Sequence, residues 1–355
     1  MERRNFLRTV TTGLLSASLY PSTASAFDNS LIVQPSSGST LNSQESEPVQ
    51  LKNTSFFWVR GFNYQPGYTR GHGFDTWCNF KPNVIKRELA RGKELFPEMT
   101  AVRIWLSFDA YLAEPEKVVK NFTTFVDIIG KNGLRVMPVI FNAWSGTPNW
   151  GLITPQTVRH MLSPKEQSFR DAVFKFTDSL FDRHAADERI FAWDLCNEPF
   201  NSDGGQDNYL TWLTQLHAHI KERYEKTCLT IGICRNDFME KIEPLCDLFS
   251  VHPYFGLKNN PVEVANKFNK PMVASETGWG SLDDAERANR LRGELSSCVD
   301  RNVGFLIHAL SYSRVADLHL PQDGPVGGAG YMACINKDGS LRPGHGIIRE
   351  YLKNK

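Results

Sequence analysis

The sequence carries no excess of charge of either sign: 40 Lys and Arg stand against 39 Asp and Glu, a formal net charge of +1. That removes the electrostatic case for binding nucleic acid or an anionic membrane surface and points to a neutral partner. Seven cysteines (78, 196, 228, 234, 246, 298 and 334) occur with no CxxC pair and no zinc-ligand spacing. The odd count leaves at least one thiol free unless it pairs between chains. Cys228, Cys234 and Cys246 lie near enough in sequence to pair, whereas Cys196 reads as a small core residue. No GxGxxG turn follows the first strand candidate, so the signature of a dinucleotide-binding doubly wound sheet is missing. His217 and His219 sit two apart on a helical segment and point to different faces, which argues against a metal there. Nothing in the chain calls for a cofactor.

What is present is an ordinary globular composition, 41% hydrophobic and 22% charged, with a rich aromatic share of 12%. The first residues read as targeting rather than structure. Arg3-Arg4-Asn5-Phe6-Leu7 is followed by a weakly apolar stretch, Val10 to Tyr20, and by the small-residue site Ala24-Ser25-Ala26. This resembles a bacterial twin-arginine export signal and is too short and polar to span a membrane. Residues 1–26 are therefore expected to be removed, leaving a chain that begins near Phe27 and works outside the cytoplasm. Residues 27–52, rich in Ser, Gln and Pro, read as a linker or N-terminal strap, and 53–355 as the folded domain.

Within that domain apolar strand candidates alternate with amphipathic helices. The strands are Phe57–Asn63, Ala101–Leu106, Leu134–Phe141, Ile190–Asn197, Leu229–Cys234, Leu248–His252, Met272–Glu276 and Val303–Ala309. Between them lie helical segments such as Pro115–Ile129, Gln167–Arg183, Tyr209–Glu225 and Asp283–Val299. In the first of these, Val118, Val119, Phe122, Phe125, Val126 and Ile129 recur at helical spacing, and Pro115 suits a first helical turn. Repeated strand–helix alternation implies parallel strands joined by right-handed crossovers, and the length suits a (β/α)8 TIM barrel. In such a barrel, chemistry belongs at the C-terminal ends of the strands. Here those ends read Asn63-Tyr64, Arg103, Asn142 with Trp144, Asn197-Glu198, His252 with Tyr254, Glu276 and His308.

Two of these ends dominate. Trp193-Asp194-Leu195-Cys196-Asn197-Glu198-Pro199 and Ala274-Ser275-Glu276-Thr277-Gly278-Trp279 are apolar runs that stop abruptly in a glutamate. An unpaired buried carboxylate is costly, so two such endings mark glutamates held at one functional edge. A facing carboxylate pair is the minimum equipment for hydrolysing a glycosidic bond, and a separation of about 5 Å selects the retaining route. Trp77, Trp144, Trp150 and Trp279 stand in loops after strands, where a flat ring could support a sugar. Trp193 and Trp212 lie inside elements and read as core.

The Asn197-Glu198-Pro199 and Glu276 motifs resemble those of the clan A glycoside hydrolases, in particular glycoside hydrolase family 5, over residues 56–312. The resemblance implies that Glu198 is the general acid/base and Glu276 the nucleophile. It implies that Asn197 binds the sugar 2-hydroxyl, that Arg103 keeps the nucleophile ionised, that Tyr254 hydrogen-bonds the nucleophile, and that His252 contacts the substrate or the acid/base. Val102-Arg103-Ile104-Trp105 and Phe141-Asn142-Ala143-Trp144 look most like the endo-β-1,4-mannanases of that family. Strand eight departs from the pattern: His308 stands where the family usually places a tryptophan beneath the sugar. The segment Leu318–Asn336 is a long loop that could narrow the cleft toward exo-action. The expectation is a retaining β-glycosidase of a β-linked polysaccharide or oligosaccharide, mannan first. β-Glucan, xylan or exo-acting specificity, or a silent sugar-binding barrel, remain as alternatives.

Overall fold

A computed structural model describes residues 47–69, 73–143, 153–201, 205–313 and 331–353, and Pro48–Lys355 form one compact unit. Eight parallel strands close into a barrel in chain order. They are β1 (Arg60–Asn63), β2 (Ala101–Trp105), β3 (Arg135–Asn142), β4 (Trp193–Asn197), β5 (Leu229–Ile233), β6 (Phe249–Val251), β7 (Met272–Thr277) and β8 (Gly304–His308), and β8 pairs back onto β1. A principal helix follows each: α1 (Pro82–Leu95), α2 (Pro115–Lys131), α3 (Gln167–His184), α4 (Gln206–Arg223), α5 (Met239–Ile242), α6 (Asn259–Lys267), α7 (Asp284–Val299) and α8 (Ile348–Leu352). This is the (β/α)8 TIM barrel that the alternation implied.

The strands are shorter than their apolar runs at the N-terminal side. Phe57 and Val59 donate their amides to Thr54 and Phe56 carbonyls in turns rather than to a ladder, and Phe191 and Ala192 precede β4. Val59, Phe191 and Ala192 still bury their side chains, and Phe57 is half-buried. Val59, Ala101, Met137, Phe191, Ala192, Leu248, Val273 and Leu306 form a separate apolar cluster. The main cluster lies between strands and helices. In α2 every expected apolar position, from Val118 to Ile129, is buried, as a helix stripe facing a sheet should be. Trp193 on β4 packs its ring 4.5 Å from Phe181 of α3 and 5.8 Å from Phe122 of α2.

Several aromatic and sulfur expectations resolve here. Trp193 and Trp212 are core residues, at 1% and 3% exposure. Trp77 is core too, which corrects the loop reading. It is fully buried, donates Nε1 to the Trp105 carbonyl at 2.9 Å, and has Phe80, Phe122 and Phe125 around it. The loop after β1 folds back against α2 there, so the ring fills the strand–helix layer and cannot meet a ligand. Cys196 is buried, and all seven thiols are free, so the pairing open to Cys228, Cys234 and Cys246 is not made.

Candidate active site

Arg103 on β2 organises the C-terminal mouth of the barrel. Its side chain is fully buried and reaches four neighbours. Nη1 donates to Asn63 Oδ1 at 3.0 Å and to Glu276 Oε1 at 2.5 Å; Nη2 donates to Asp194 Oδ2 and Asn197 Oδ1, both at 2.7 Å. Asp194 also accepts from Arg103 Nε at 3.2 Å and, through its other oxygen, from the Gly232 amide at 3.0 Å. Asp194 and Asn197 are three apart on β4, so in a regular strand they would face opposite sides. The β4–β5 register shifts between these two residues, and that irregularity brings both side chains onto one guanidinium. Asn197 in turn donates Nδ2 to Asn142 Oδ1, 3.0 Å away on the neighbouring strand.

Glu198 follows β4 with a positive φ of 51°, a conformation uncommon outside glycine and frequent where function constrains the backbone. Its amide is held by the Gly232 carbonyl at 2.8 Å. Its carboxyl is clamped on both oxygens: Oε1 accepts from His252 Nδ1 at 2.7 Å and Oε2 from Asn201 Nδ2 at 2.8 Å. Glu276 on β7 is clamped as well, by Arg103 on Oε1 and by the Tyr254 hydroxyl, at 2.7 Å, on Oε2. His252 Nδ1 stands 3.7 Å from that second oxygen, so the loop after β6 touches both glutamates.

The two carboxyls face each other, with one oxygen of each and a ring nitrogen of His252 all within 4.8 Å. Their environments push them apart. Burial raises Glu198 above the ordinary carboxylate value, the contact with His252 only partly opposing it, and the negative charge of Glu276 adds to the rise. Burial acts on Glu276 in the same sense, but the charges of His252 and Arg103 and the Tyr254 hydroxyl outweigh it and hold it at about 2. Glu198 therefore holds its proton to a higher pH than Glu276 does, the ordering that paired-carboxyl chemistry needs. Glu198, His252 and Glu276 are also close enough to bind a cation. Their oxygens, however, already accept bonds from Arg103, Tyr254, Asn201 and His252, and the Arg103 guanidinium supplies the positive charge that a metal would bring.

Of the residues singled out in the sequence, Arg103, Asn142, Asn197, Glu198, His252, Tyr254 and Glu276 meet in this one network. His308 ends β8 at 8% exposure, its ring centroid 6.2 Å from Trp105; burial holds its pKa below the ordinary value. Trp279 is half-buried, edge-on to Tyr254 at 5.1 Å. Trp144 and Trp150 lie outside the described residues, as does most of Leu318–Asn336. Three participants escaped the sequence reading: Asp194, Asn201 and Gly232. Asp194 stood inside the quoted motif, and a charged residue within an apolar strand was the signal available. Gly232, a glycine inside a strand, was a weaker one.

Comparison with solved structures finds sugar-processing barrels. The exo-β-1,4-mannosidase Op5Man5 from Opitutaceae bacterium strain TAV5 superposes with a TM-score of 0.64 at 17% identity, over 82% of this chain and 58% of its own. This chain thus spans less than two thirds of that protein. The likeness is one of fold. The endo-β-1,4-mannanase from Thermotoga petrophila gives 0.60 at 14% identity over 86% of this chain and 77% of its own. A β-galacturonidase from Eisenbergiella tayi, of glycoside hydrolase family 2, gives 0.58 at 13% over 83% and 50%. No family model matches the chain, and no curated protein matches it.

Proposed function

We propose that the chain is a retaining β-glycosidase, with Glu276 as nucleophile and Glu198 as general acid/base, and that its substrate is a β-1,4-linked mannan cut within the chain. The observation that carries the reading is the pair of facing carboxyls, one oxygen of each within 4.8 Å of the other's, shifted in opposite directions. That spacing is in the range of retaining rather than inverting hydrolysis, where a wider gap admits a water.

In the first step Glu276 attacks the anomeric carbon and forms a glycosyl ester, while Glu198 gives its proton to the departing glycosidic oxygen. Forming the ester removes the Glu276 charge, so the pKa of Glu198 falls; having given up its proton it stays ionised and can take one from water. The resulting hydroxide attacks the anomeric carbon, expels Glu276 and restores both carboxyls. Arg103 and Tyr254 keep Glu276 ionised and aimed, and His252 and Asn201 fix the rotamer of Glu198. Asn197, tied to Arg103 and Asn142, would present its amide to the 2-hydroxyl of the cleaved sugar. No step requires a cofactor. The mannan preference draws on the Arg103 and Asn142 motifs and on mannan-active proteins among the structural neighbours. Export of the chain through residues 1–26 belongs to the same proposal.

Incubation of the chain from Phe27 with β-mannan, β-glucan, xylan and galactan, products resolved by size, tests the reading. The expected result is a ladder of oligosaccharides from mannan. A single sugar released from chain ends replaces endo- with exo-action. No product from any polymer or from aryl β-glycosides overturns the enzyme assignment and leaves the sugar-binding barrel.

A further inference from the structure

Phe255 is one of two large apolar side chains left exposed among the described residues, at 57%. It directly follows Tyr254, whose hydroxyl bonds Glu276, and it carries a φ of 70°. A left-handed backbone is unfavourable for a bulky residue, and leaving a Phe ring in water forgoes the stabilisation that its burial would bring. Both features run against stability, so something other than packing keeps the ring where it is.

What holds it is Glu294 of α7, a carboxylate only 3% exposed. It accepts from the Thr277 hydroxyl at 2.8 Å, the Gly278 amide at 2.6 Å and the Trp279 amide at 3.2 Å, and also from the backbone of Phe255. One buried carboxylate thus ties the loop after β6 to the loop after β7. Leu257, two residues on, adds a bond from its amide to Ser297 Oγ at 2.7 Å. The braced loops hold a ring sequence that leads outward from the nucleophile. Tyr254 lies edge-on to Trp279 at 5.1 Å, and Phe255 lies 5.2 Å from Trp279 on its other contact. Phe255 is thus linked through Trp279 to the residue that touches Glu276.

We propose that Phe255, backed by Trp279, is a stacking platform for a neutral sugar ring next to the one being cleaved. The inference rests on the glycosidase reading. An exposed aromatic face suits the C–H face of an uncharged pyranose, and a preformed platform adds affinity because its ordering is already complete before binding.

The test compares F255A and F255W with the parent on mannopentaose and on an aryl β-mannoside, which has no neighbouring sugar. For F255A the ratio of kcat/KM on mannopentaose to that on the aryl glycoside should fall about tenfold, the factor that 1.4 kcal/mol represents, and F255W should restore it. Retention in a mannan-containing gel, measured in an E276Q background, should weaken in parallel. An unchanged ratio with unchanged retention overturns the platform. So does an equal loss on both substrates, which would mean that Phe255 only supports Tyr254. If the parent turns nothing over, the glycosidase reading falls by itself, and the gel arm alone decides whether Phe255 binds sugar.

Discussion

Gly232 is the position where the smallest change should have the largest effect. It pairs with Asn197 of β4 and Ser250 of β6, and the side chains of three neighbouring strand ends close over it. A methyl group there would lie 2.7 Å from Asp194 Oδ2, 2.9 Å from His252 Nε2 and 3.1 Å from Arg103 Nη2. None of these can swing aside cheaply. Asp194 is held by Arg103 and the Gly232 amide, Arg103 by four partners, and His252 by Glu198 at 2.7 Å. Overpacking of this kind costs about 1–3 kcal/mol, which at about 2–4 °C per kcal/mol lowers the melting temperature of Gly232→Ala by several degrees. Activity should suffer more, because a displacement of order 1 Å near reacting groups is worth about a hundredfold. The displaced His252 would also cease to oppose the rise of Glu198, so the alkaline limb of the pH–rate profile should move upward. Thermal melts and pH–rate profiles of Gly232→Ala on an aryl β-mannoside check this. Wild-type melting together with wild-type kcat/KM across pH would refute the idea that the bare backbone of β5 is what lets the network converge.

The wild-type kcat/KM should be bell-shaped, its acid limb set by Glu276 near about 2 and its alkaline limb by Glu198 above 4.5; a profile with no alkaline limb would remove Glu198 from the acid role. Stability should follow the same two groups with opposite signs. Glu276, held below its ordinary 4.5, stabilises the fold above that pH and loses its contribution as pH falls toward about 2. Glu198, held above it, contributes below pH 4.5 and loses its contribution as pH rises through its raised value. Melting temperatures between pH 2 and 7, compared with those of E198Q and E276Q, read these contributions separately. Tyr254→Phe removes a bond to Glu276 worth about 1 kcal/mol, so the acid limb should rise by somewhat under one pH unit; an unmoved limb would mean that the hydroxyl does not tune Glu276.

Much of this site was legible because burial penalises charge. Glu198 and Glu276 end apolar runs, Arg103 interrupts one, and in a fold made of repeated strand–helix units such endings collect at one face. Asp194 was visible in the same motif but lacked a partner on paper. That it shares Arg103 with Asn197 depends on a register shift between β4 and β5, and nothing local in Trp193–Asn197 encodes that shift. Trp77 shows the converse failure. An aromatic residue in a loop after a strand is compatible with either the cleft or the helix layer, and only the path of the chain past α2 decides between them. Glu294 was unreadable for a third reason: on an amphipathic helix a glutamate is ordinarily solvated, and its burial is known only once two loops are seen to converge on it.

The order of strands and helices, the closed barrel that they imply and the residues at the strand ends were determined by the sequence, because hydrophobic periodicity and the penalty for burying charge act locally. The tertiary structure alone decided which polar groups share a partner, how near the two carboxyls lie, which of them holds its proton more tightly, and which aromatic rings are buried in the core. Those outcomes depend on strand register, on a missing methyl group at Gly232 and on contacts between residues far apart in the chain, and none of these leaves a periodic trace.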